Sequence, residues 1–482
     1  MKRSPLIPAV GLTMLLAACV GTPPGGPRVA EIPADELGLA GPAYDAARDE
    51  WWTALGDPQL DRLVGQALEG NPSLAASLAR VRGAWEQAKV VGAGDAARVD
   101  FDLSAFRSKV SGNYLYPPPY AGSTFWDGRI GFNLMWNLDF WGRQSALIEQ
   151  ATSSALAAEL DAAAAGLAVS GAVSQTYVDL ERIAALEKLA DRAIRQREEL
   201  LALTTRRVKA GLDTDVELSA AESNRAQANV ELEQARVGSL LAAHALAALT
   251  GHGAGDYASI TAPTLDLERT LSLPAALPAD LLAHRPDVAA AKSRVAAAQA
   301  GRTAAHAAFY PNVNLIGFAG FTAVGLDSLP KGDSQTWTLG PAIHLPVFDA
   351  GRLRAEYGKT TADLDAAVAS YNETVLRAVR EAADQASRLE SLDRQLGGQQ
   401  RALDAAEQGW QLASQRYEAG LGNFLTVLNA ETQVLAARRQ RVNLLADRTL
   451  ARIALLVALG GSFHETPAAA TTHATGQKET IE

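Results

Sequence analysis

The stretch RYEAGLGNFLTVLNAE, Arg416 to Glu431, has a partial copy 209 residues earlier in RVKAGLDTDVELSAAE, Arg207 to Glu222. Both contain Ala-Gly-Leu, and both place an Ala-Glu pair nine residues after that leucine. The segments flanking each copy read as long helices, so the chain makes the same turn twice. The repetition continues outward. Gly142-Arg143 recurs as Gly351-Arg352, Leu180-Glu181 as Leu389-Glu390 and Gly251 as Gly460, all at the same offset. Upstream, Asn71-Pro72-Ser73-Leu74 aligns with Arg285-Pro286-Asp287-Val288 and Arg80-Val81 with Arg294-Val295, at an offset of 214. The offset changes around YLYPPPYAG and VGLDSLPKGDS, Pro- and Gly-rich segments that read as surface loops tolerant of insertion.

Each half reads as helix, strand, loop, strand, long helix, turn, helix. The long helices run from about 142 to 210 and 351 to 419, roughly 100 Å each at 1.5 Å per residue. The flanking helices, about 58 to 94 and 213 to 249, are half as long, so two placed end to end match one long rod. That predicts a barrel of parallel helices rather than a globule. After the first turn, Leu218, Ala221, Arg225, Ala228, Leu232, Ala235, Ser239, Ala242, Leu246 and Leu249 follow steps of three and four. Val427, Ala430, Val434, Ala437, Arg441, Leu444, Arg448, Ala451, Leu455 and Ala458 repeat the register after the second. This is coiled-coil spacing with many small residues. A simple antiparallel helical hairpin has the same periodicity, so the pattern alone does not choose between them.

The strands alternate. In RIGFNLMWNLD, Ile130, Phe132, Leu134, Trp136 and Leu138 share one face, opposite Arg129, Gly131, Asn133, Asn137 and Asp139, with Met135 the exception. In the second half Trp337, Leu339, Ile343, Leu345 and Val347 form the apolar face, and Pro341 falls where a ladder hydrogen bond is expected. The partner strands are Val99–Phe106 and Asn312–Phe321, the latter less regular. Period two with one apolar face fits lipid on one side and water on the other. Trp126, Trp136, Trp141 and Trp337, with Phe309 and Tyr310, stand at strand ends, where amphipathic rings favour a membrane interface. Four strands cannot close, and an open edge in lipid leaves backbone groups unsatisfied. Two copies would give eight strands with a filled interior. Three give twelve and room for a passage, so a channel favours a homotrimer.

A formal charge of −10 argues against nucleic-acid partners. Residues 1–18 form a secretory signal: Lys2 and Arg3, an apolar run from Leu6, then LAAC ending at Cys19, the single cysteine. This resembles a bacterial lipoprotein signal, which implies lipidation (palmitate) at Cys19. Val20 in place of Asp implies sorting to the outer membrane. No HExxH-type histidine pair occurs, and GHGAG at Gly251 to Gly255 lacks the Lys-Ser or Lys-Thr of a phosphate loop, so it reads as a helix C-cap. No enzyme activity, cofactor or metal is expected. With only three methionines, a methionine metal relay has no support.

WWTALGDPQLDRLVGQAL (51–68), NPSLAASLARV (71–81) and above all HRPDVAAAKSRVAAAQAGRTAAHAAFYPNVNL (284–315) resemble the TolC family of outer-membrane efflux proteins, most closely its lipidated, NodT-type branch. The resemblance implies an α+β membrane protein: a homotrimer with a twelve-stranded barrel in outer-membrane lipid, continuing into a long periplasmic α-helical coiled-coil barrel. It implies a periplasmic adaptor (membrane fusion protein) and an inner-membrane transporter of the resistance-nodulation-division (RND) type. The function implied is the passive outer-membrane channel of a tripartite efflux system. Gly211, Leu212, Gly420 and Leu421 would be the adaptor-contacting tips. Leu425 would form an apolar periplasmic gate, Asn429 a neutral polar ring where the branch commonly has Asp, with Val216 and Ala220 their first-copy counterparts. Gly422 stands where TolC-type constrictions use Arg, which leaves no Arg-Asp closure at that position. The division expected is residues 19–50 as the lipidated segment, 51–253 and 284–461 as the two repeats, 254–283 as linker and 462–482 as a disordered tail. A periplasmic coiled-coil scaffold lipoprotein, or a conduit for type I secretion or metal export, are the alternatives. The cargo is not written in these residues.

Overall fold

A computed structural model describes residues 25–37, 50–113, 117–269 and 285–461. Cys19, the second part of the linker and the C-terminal tail lie outside these residues. In chain order the elements are α1 (Pro58–Gly70), α2 (Pro72–Gly92), β1 (Arg98–Lys109), β2 (Thr124–Leu138), α3 (Arg143–Lys209), α4 (Asp215–Leu249), α5 (Pro286–Ala307), β3 (Asn312–Val324), β4 (Gln335–His344), α6 (Arg352–Glu418) and α7 (Phe424–Ala458). They group into two compact units, each drawing residues from both repeats.

The first unit contains the sheet, an antiparallel meander in the order β1-β2-β3-β4. Its register puts Phe101 opposite Phe132, Phe132 opposite Ala319, and Ala319 opposite Trp337, so the apolar side chains line up across all four strands on one face. Every strand departs somewhat from the expected bounds. β1 is longer at both ends, and β4 stops at His344, leaving Leu345 and Val347 outside the sheet. Pro346 follows directly and has no N–H to continue a ladder. Pro341 lies opposite Leu315 in β4, the strand at one edge of the sheet within a single chain. The irregular β3 puts Phe318 on the polar face, where it is buried beneath the Arg129 guanidinium, 4.0 Å from ring centre.

In the second unit the core gathers Trp51, Trp52 and Leu55 with Leu60, Leu63 and Val64 of α1, against Val173 and Tyr177 of α3, Leu246 of α4 and Ile453 of α7. A stretch of α3 has the length and hydropathy of a membrane span, with 39% of it buried inside the chain. Val173, Tyr177 and Val178 of the same helix are fully buried in the core. Asp57 organises this core: it caps α1 through Gln59 N–H (2.9 Å) and accepts from Tyr177 Oη (2.8 Å) and from Thr264 N–H (3.0 Å). These hydrogen bonds hold its carboxyl below the ordinary range although burial opposes them. The first part of the expected linker is thereby ordered, with Leu265 and Leu267 in the core.

The expected single helix from 58 to 94 is two helices, broken at Asn71-Pro72, because proline cannot donate to the preceding turn. The two sides of the repeat solve one problem differently here. Asn71 Nδ2 donates to the carbonyl of Leu249, the last residue of α4 (2.8 Å). Arg285 Nη1 donates to the carbonyl of Ala458, the last residue of α7 (3.0 Å). Each closes the helix that ends its own repeat. Arg285 also grips Asp287 with two nitrogens and Glu381 with one. Gly251, within GHGAG, has φ +78 and directs its own N–H and that of His252 back to Ala248 and Ala247, so the segment is a helix cap.

The coiled-coil spacing is matched by burial. Ala221, Ala228, Leu232, Ala242 and Leu246 are buried on α4, with Arg225 the one exposed seam residue; on α7 no seam residue is exposed.

Candidate functional site

The turns that open the argument are built alike. At the end of α3, Gly211 N–H donates to Val208 O and Leu212 N–H to Arg207 O; at the end of α6, Gly420 donates to Tyr417 O and Leu421 to Arg416 O. Gly211 and Gly420 have φ +68 and +74, the left-handed region that this closure needs and that glycine enters without strain. The following helices start from caps. Thr214 and Glu217 form a capping box on α4, and Asn423 Oδ1 accepts from Thr426 N–H (2.9 Å) on α7. In such turns the residue after the glycine commonly packs back on the helix. Here Leu212 and Leu421 point outward, 65% and 72% exposed.

The two tips are bound to each other. Arg207 Nε donates to Asp213 Oδ2 (2.8 Å), Tyr417 Oη donates to the same oxygen (2.5 Å), and Arg207 Nη1 donates to the carbonyl of Tyr417 (3.2 Å). The guanidinium lies 4.4 Å from the centre of the Tyr417 ring, which meets Phe424 edge-on. Arg207's hydrogen bond, aided by Tyr417, holds the Asp213 carboxyl below its ordinary range despite burial. An Arg-Asp link therefore exists at the tips, with Arg207 and Asp213 of the first copy rather than an Arg at position 422. Deeper in, Arg197 pairs with Glu431 (3.3 Å) and donates to Asn224 O (2.8 Å), joining α3, α7 and α4. Burial pushes the Glu431 carboxyl above its ordinary range.

Of the expected gate residues, Leu425 is 58% exposed and Asn429 is exposed one turn further along the same face of α7. Seam packing is made instead by their neighbours Phe424 and Val427, both buried. Val216 is exposed, whereas Ala220 packs against the tip core. Beside the Arg207–Asp213–Tyr417 staple runs a groove of about 530 Å³ lined by Leu200, Leu203, Trp410 and Val427, with Glu199 and Glu418 among its charged groups.

In the first unit the sheet presents Phe101, Leu103, Phe132, Leu339 and Ile343 on one face, each more than half exposed. Among the described residues, the edge strands β1 and β4 have no partner on one side. Trp136 and Trp141 stand at the helix-connected end. Trp136 Nε1 donates to Asp95 O (3.0 Å), and Trp141 Nε1 donates to Pro311 O (2.8 Å) while stacking on Tyr310 (4.9 Å). Trp126 stands at the loop-connected end; Trp337, expected at a strand end as well, is in register with Ala319 and Phe132, six residues along β2 from Trp126.

The model of the family described as "Outer membrane efflux protein" matches residues 63–252 and 277–461. The chain belongs to the outer membrane efflux protein family. It is 35% identical over 371 residues to the fusaric acid resistance protein FusA of Burkholderia cepacia, covering 75% of this chain and 70% of the relative. The pyoverdine export outer membrane protein OpmQ of Pseudomonas aeruginosa is 30% identical over 471 residues, covering 96% of this chain and 97% of that protein. Among solved structures, the outer membrane protein VceC of Vibrio cholerae superimposes with a TM-score of 0.81 at 34% identity, covering 86% of this chain and 99% of that one. The fold is that of the TolC-like channels, with a barrel and a helical tunnel. As an outer membrane efflux protein, the chain is the outer-membrane channel of a tripartite efflux system.

The tip, sheet and seam residues were legible in the sequence; the staple was not. A signal was nonetheless present. The repeat breaks at Val208 against Tyr417 and at Asp213 against Gly422, and the two polar members of those mismatched pairs are the ones that meet.

Proposed function

We propose that the protein works as a homotrimer, lipid-anchored at Cys19, that conducts cargo passively rather than transforming it. Its two tips per chain engage a periplasmic adaptor joined to an inner-membrane RND-type transporter. The observation that carries this reading is the open four-stranded sheet with one apolar exposed face. Unpaired strand edges are not tolerated in hydrocarbon, and three copies close a twelve-stranded barrel with a passage. Ten residues of β2 separate Trp126 from Trp136, about 33 Å along a strand. At the tilt usual for such barrels this spans about 25 Å of thickness, the height of an outer-membrane apolar band. Trp126 then belongs to one aromatic girdle and Trp136 and Trp141 to the other, while Trp337, level with Phe132 in the register, lies between them.

The outward leucines Leu212 and Leu421 support the tips as the adaptor contact, because both stand exposed on turns fixed by the same helix-end hydrogen bonds. Leu425 forms the apolar periplasmic constriction and Asn429 a neutral ring beside it. Val216 flanks them, and Ala220 serves packing. The Arg207–Asp213–Tyr417 staple keeps the two tips of one chain together. We read residues 1–18 as signal, 19–50 as the lipidated segment, 51–253 and 284–461 as the repeats, 254–283 as linker and 462–482 as tail. FusA, OpmQ and a multidrug resistance protein, MdtP, carry different cargoes in their names, which fits a conduit whose selection lies in the pump.

Photocrosslinking in cells from positions 212 and 421 tests the partner assignment. Recovery of an adaptor is the expected result. Recovery of an envelope scaffold protein, with no adaptor at either position, would replace it with the coiled-coil scaffold alternative.

A further inference from the structure

Ahead of the first helices, residues 25–31 lie as an extended strap within the unit that contains the sheet. Its fastening is made largely through the main chain. Asp365 Oδ1 on α6 accepts from the consecutive backbone N–H groups of Arg28 (2.7 Å) and Val29 (3.0 Å). Asn372 Nδ2, two turns further along α6, donates to Ala30 O (2.9 Å). Glu31 pairs with Lys292 on α5, whose ammonium also lies 5.3 Å from the centre of the Tyr371 ring. Pro27 and Val29 border a groove of about 500 Å³ between α5 and α6, floored by Val295, Leu364 and Val368. A carboxylate receiving two successive backbone donors makes charge-assisted bonds and fixes the path of the chain whatever the strap side chains are.

The strap has a direction. Asp365 lies thirteen residues into α6, about 20 Å from the sheet-connected end of that helix at 1.5 Å per residue, and Asn372 lies about 30 Å from it. Going from Arg28 to Ala30, the chain therefore runs away from the sheet, and going backward from Arg28 it heads toward it. Nine residues separate Arg28 from Cys19, a reach of about 30 Å when extended. The tether covers the 20 Å to the level where helices give way to strands, with about 10 Å to spare.

We propose that Asp365 is the positioning residue for the lipid anchor: its carboxylate cleats the strap to α6 so that the acylated Cys19 is delivered to the membrane beside the sheet of its own chain. This rests on the lipidation of Cys19. Asp365 acts through the strap backbone and touches neither lipid nor cargo.

The test uses the full-length protein, labelled in cells with radioactive palmitate and purified in detergent. Trypsin can cut after Arg28, and the bond it must open includes the Val29 N–H that Asp365 holds. The label should leave the body of the wild-type protein slowly. It should leave Asp365→Ala about tenfold faster, the order expected for losing hydrogen bonds to a charged group, and Asp365→Asn at an intermediate rate. In cells, Asp365→Ala should lower the yield of outer-membrane oligomer, and should not do so when Cys19→Ser is exported by a non-lipoprotein signal. Equal release from wild type and Asp365→Ala would overturn the cleat. An equal loss of oligomer with and without Cys19 would show that Asp365 serves only the helix. No label on the wild-type protein would overturn the lipidation itself, an outcome separate from either.

Discussion

At the scale of single residues, the tips combine rigidity with exposure. Asp213 accepts from two side chains, and its partners are mostly shielded from water: the side chains of Arg207 and Asp213 are 13% and 10% exposed. Removing one hydrogen bond to a buried charge costs about 1.5–3 kcal/mol. Tyr417→Phe and Asp213→Asn should therefore broaden the distance distribution between spin labels at 212 and 421, Asp213→Asn more strongly. Because the Asp213 carboxyl is depressed, the staple's contribution is present above the ordinary aspartate range and is lost only as pH falls through its lowered value; labels compared at pH 7 and pH 5 should not differ. Leu425 is a different case. Being exposed, its replacement by Ser should alter stability by no more than about 0.5 kcal/mol, while raising the resting conductance of the reconstituted channel. Unchanged conductance would remove Leu425 from the constriction. The tip leucines were readable because their positions follow from the turn, whereas Leu425 was singled out only by the family resemblance. The Tyr417–Asp213 contact joins residues 204 apart across two copies, and no local pattern encodes such a partner.

At the scale of elements, what the sequence revealed depended on periodicity. The seam of α4 and α7 recurs often enough to declare its buried face, and the strands alternate clearly except where β3 turns Phe318 beneath Arg129. The helix break at Asn71-Pro72 was hidden by continuous helical composition on both sides. Arg285 shows how a distinctive motif can be structural: it serves the carbonyl of Ala458, Asp287 and Glu381 together. Arg285→Ala should destabilise the helical unit by about 1.5–3 kcal/mol, the range for hydrogen bonds to a charged group, because the carboxylates left behind, Asp287 and Glu381, are 31% and 41% exposed and keep water. Arg285→Lys should recover only part, since one ammonium cannot reproduce the planar fork. Glu181 on α3 carries a pH signature. Burial pushes its carboxyl up to about 6, so the stability it contributes is complete below its unfolded value and is lost as pH rises through about 6. Glu181→Gln should raise the melting temperature at pH 7.5 and leave it nearly unchanged at pH 4.5. An equal gain at both values would assign the effect to something other than the buried charge.

At the scale of the whole molecule, the sheet poses a question that one chain cannot answer. Its outward face offers Phe101, Leu103, Phe132, Leu339 and Ile343, and its two edges offer unpaired backbone on β1 and β4. In water this arrangement invites aggregation; in a membrane it requires closure. Strand count alone predicts the need for other copies, whereas the register of the edges is set by neighbours and cannot be read from one chain. Family membership accounts for the export function, and the proposed closure of three sheets would account for a passage through the outer membrane. The most direct test places one cysteine on each open edge, at Leu103 and Leu339, and treats intact cells with a thiol-reactive crosslinker about 10 Å long. Links between β1 of one chain and β4 of the next should give a ladder on denaturing gels that stops at three chains. A ladder that stops at two, or extends past three, would contradict the twelve-stranded channel.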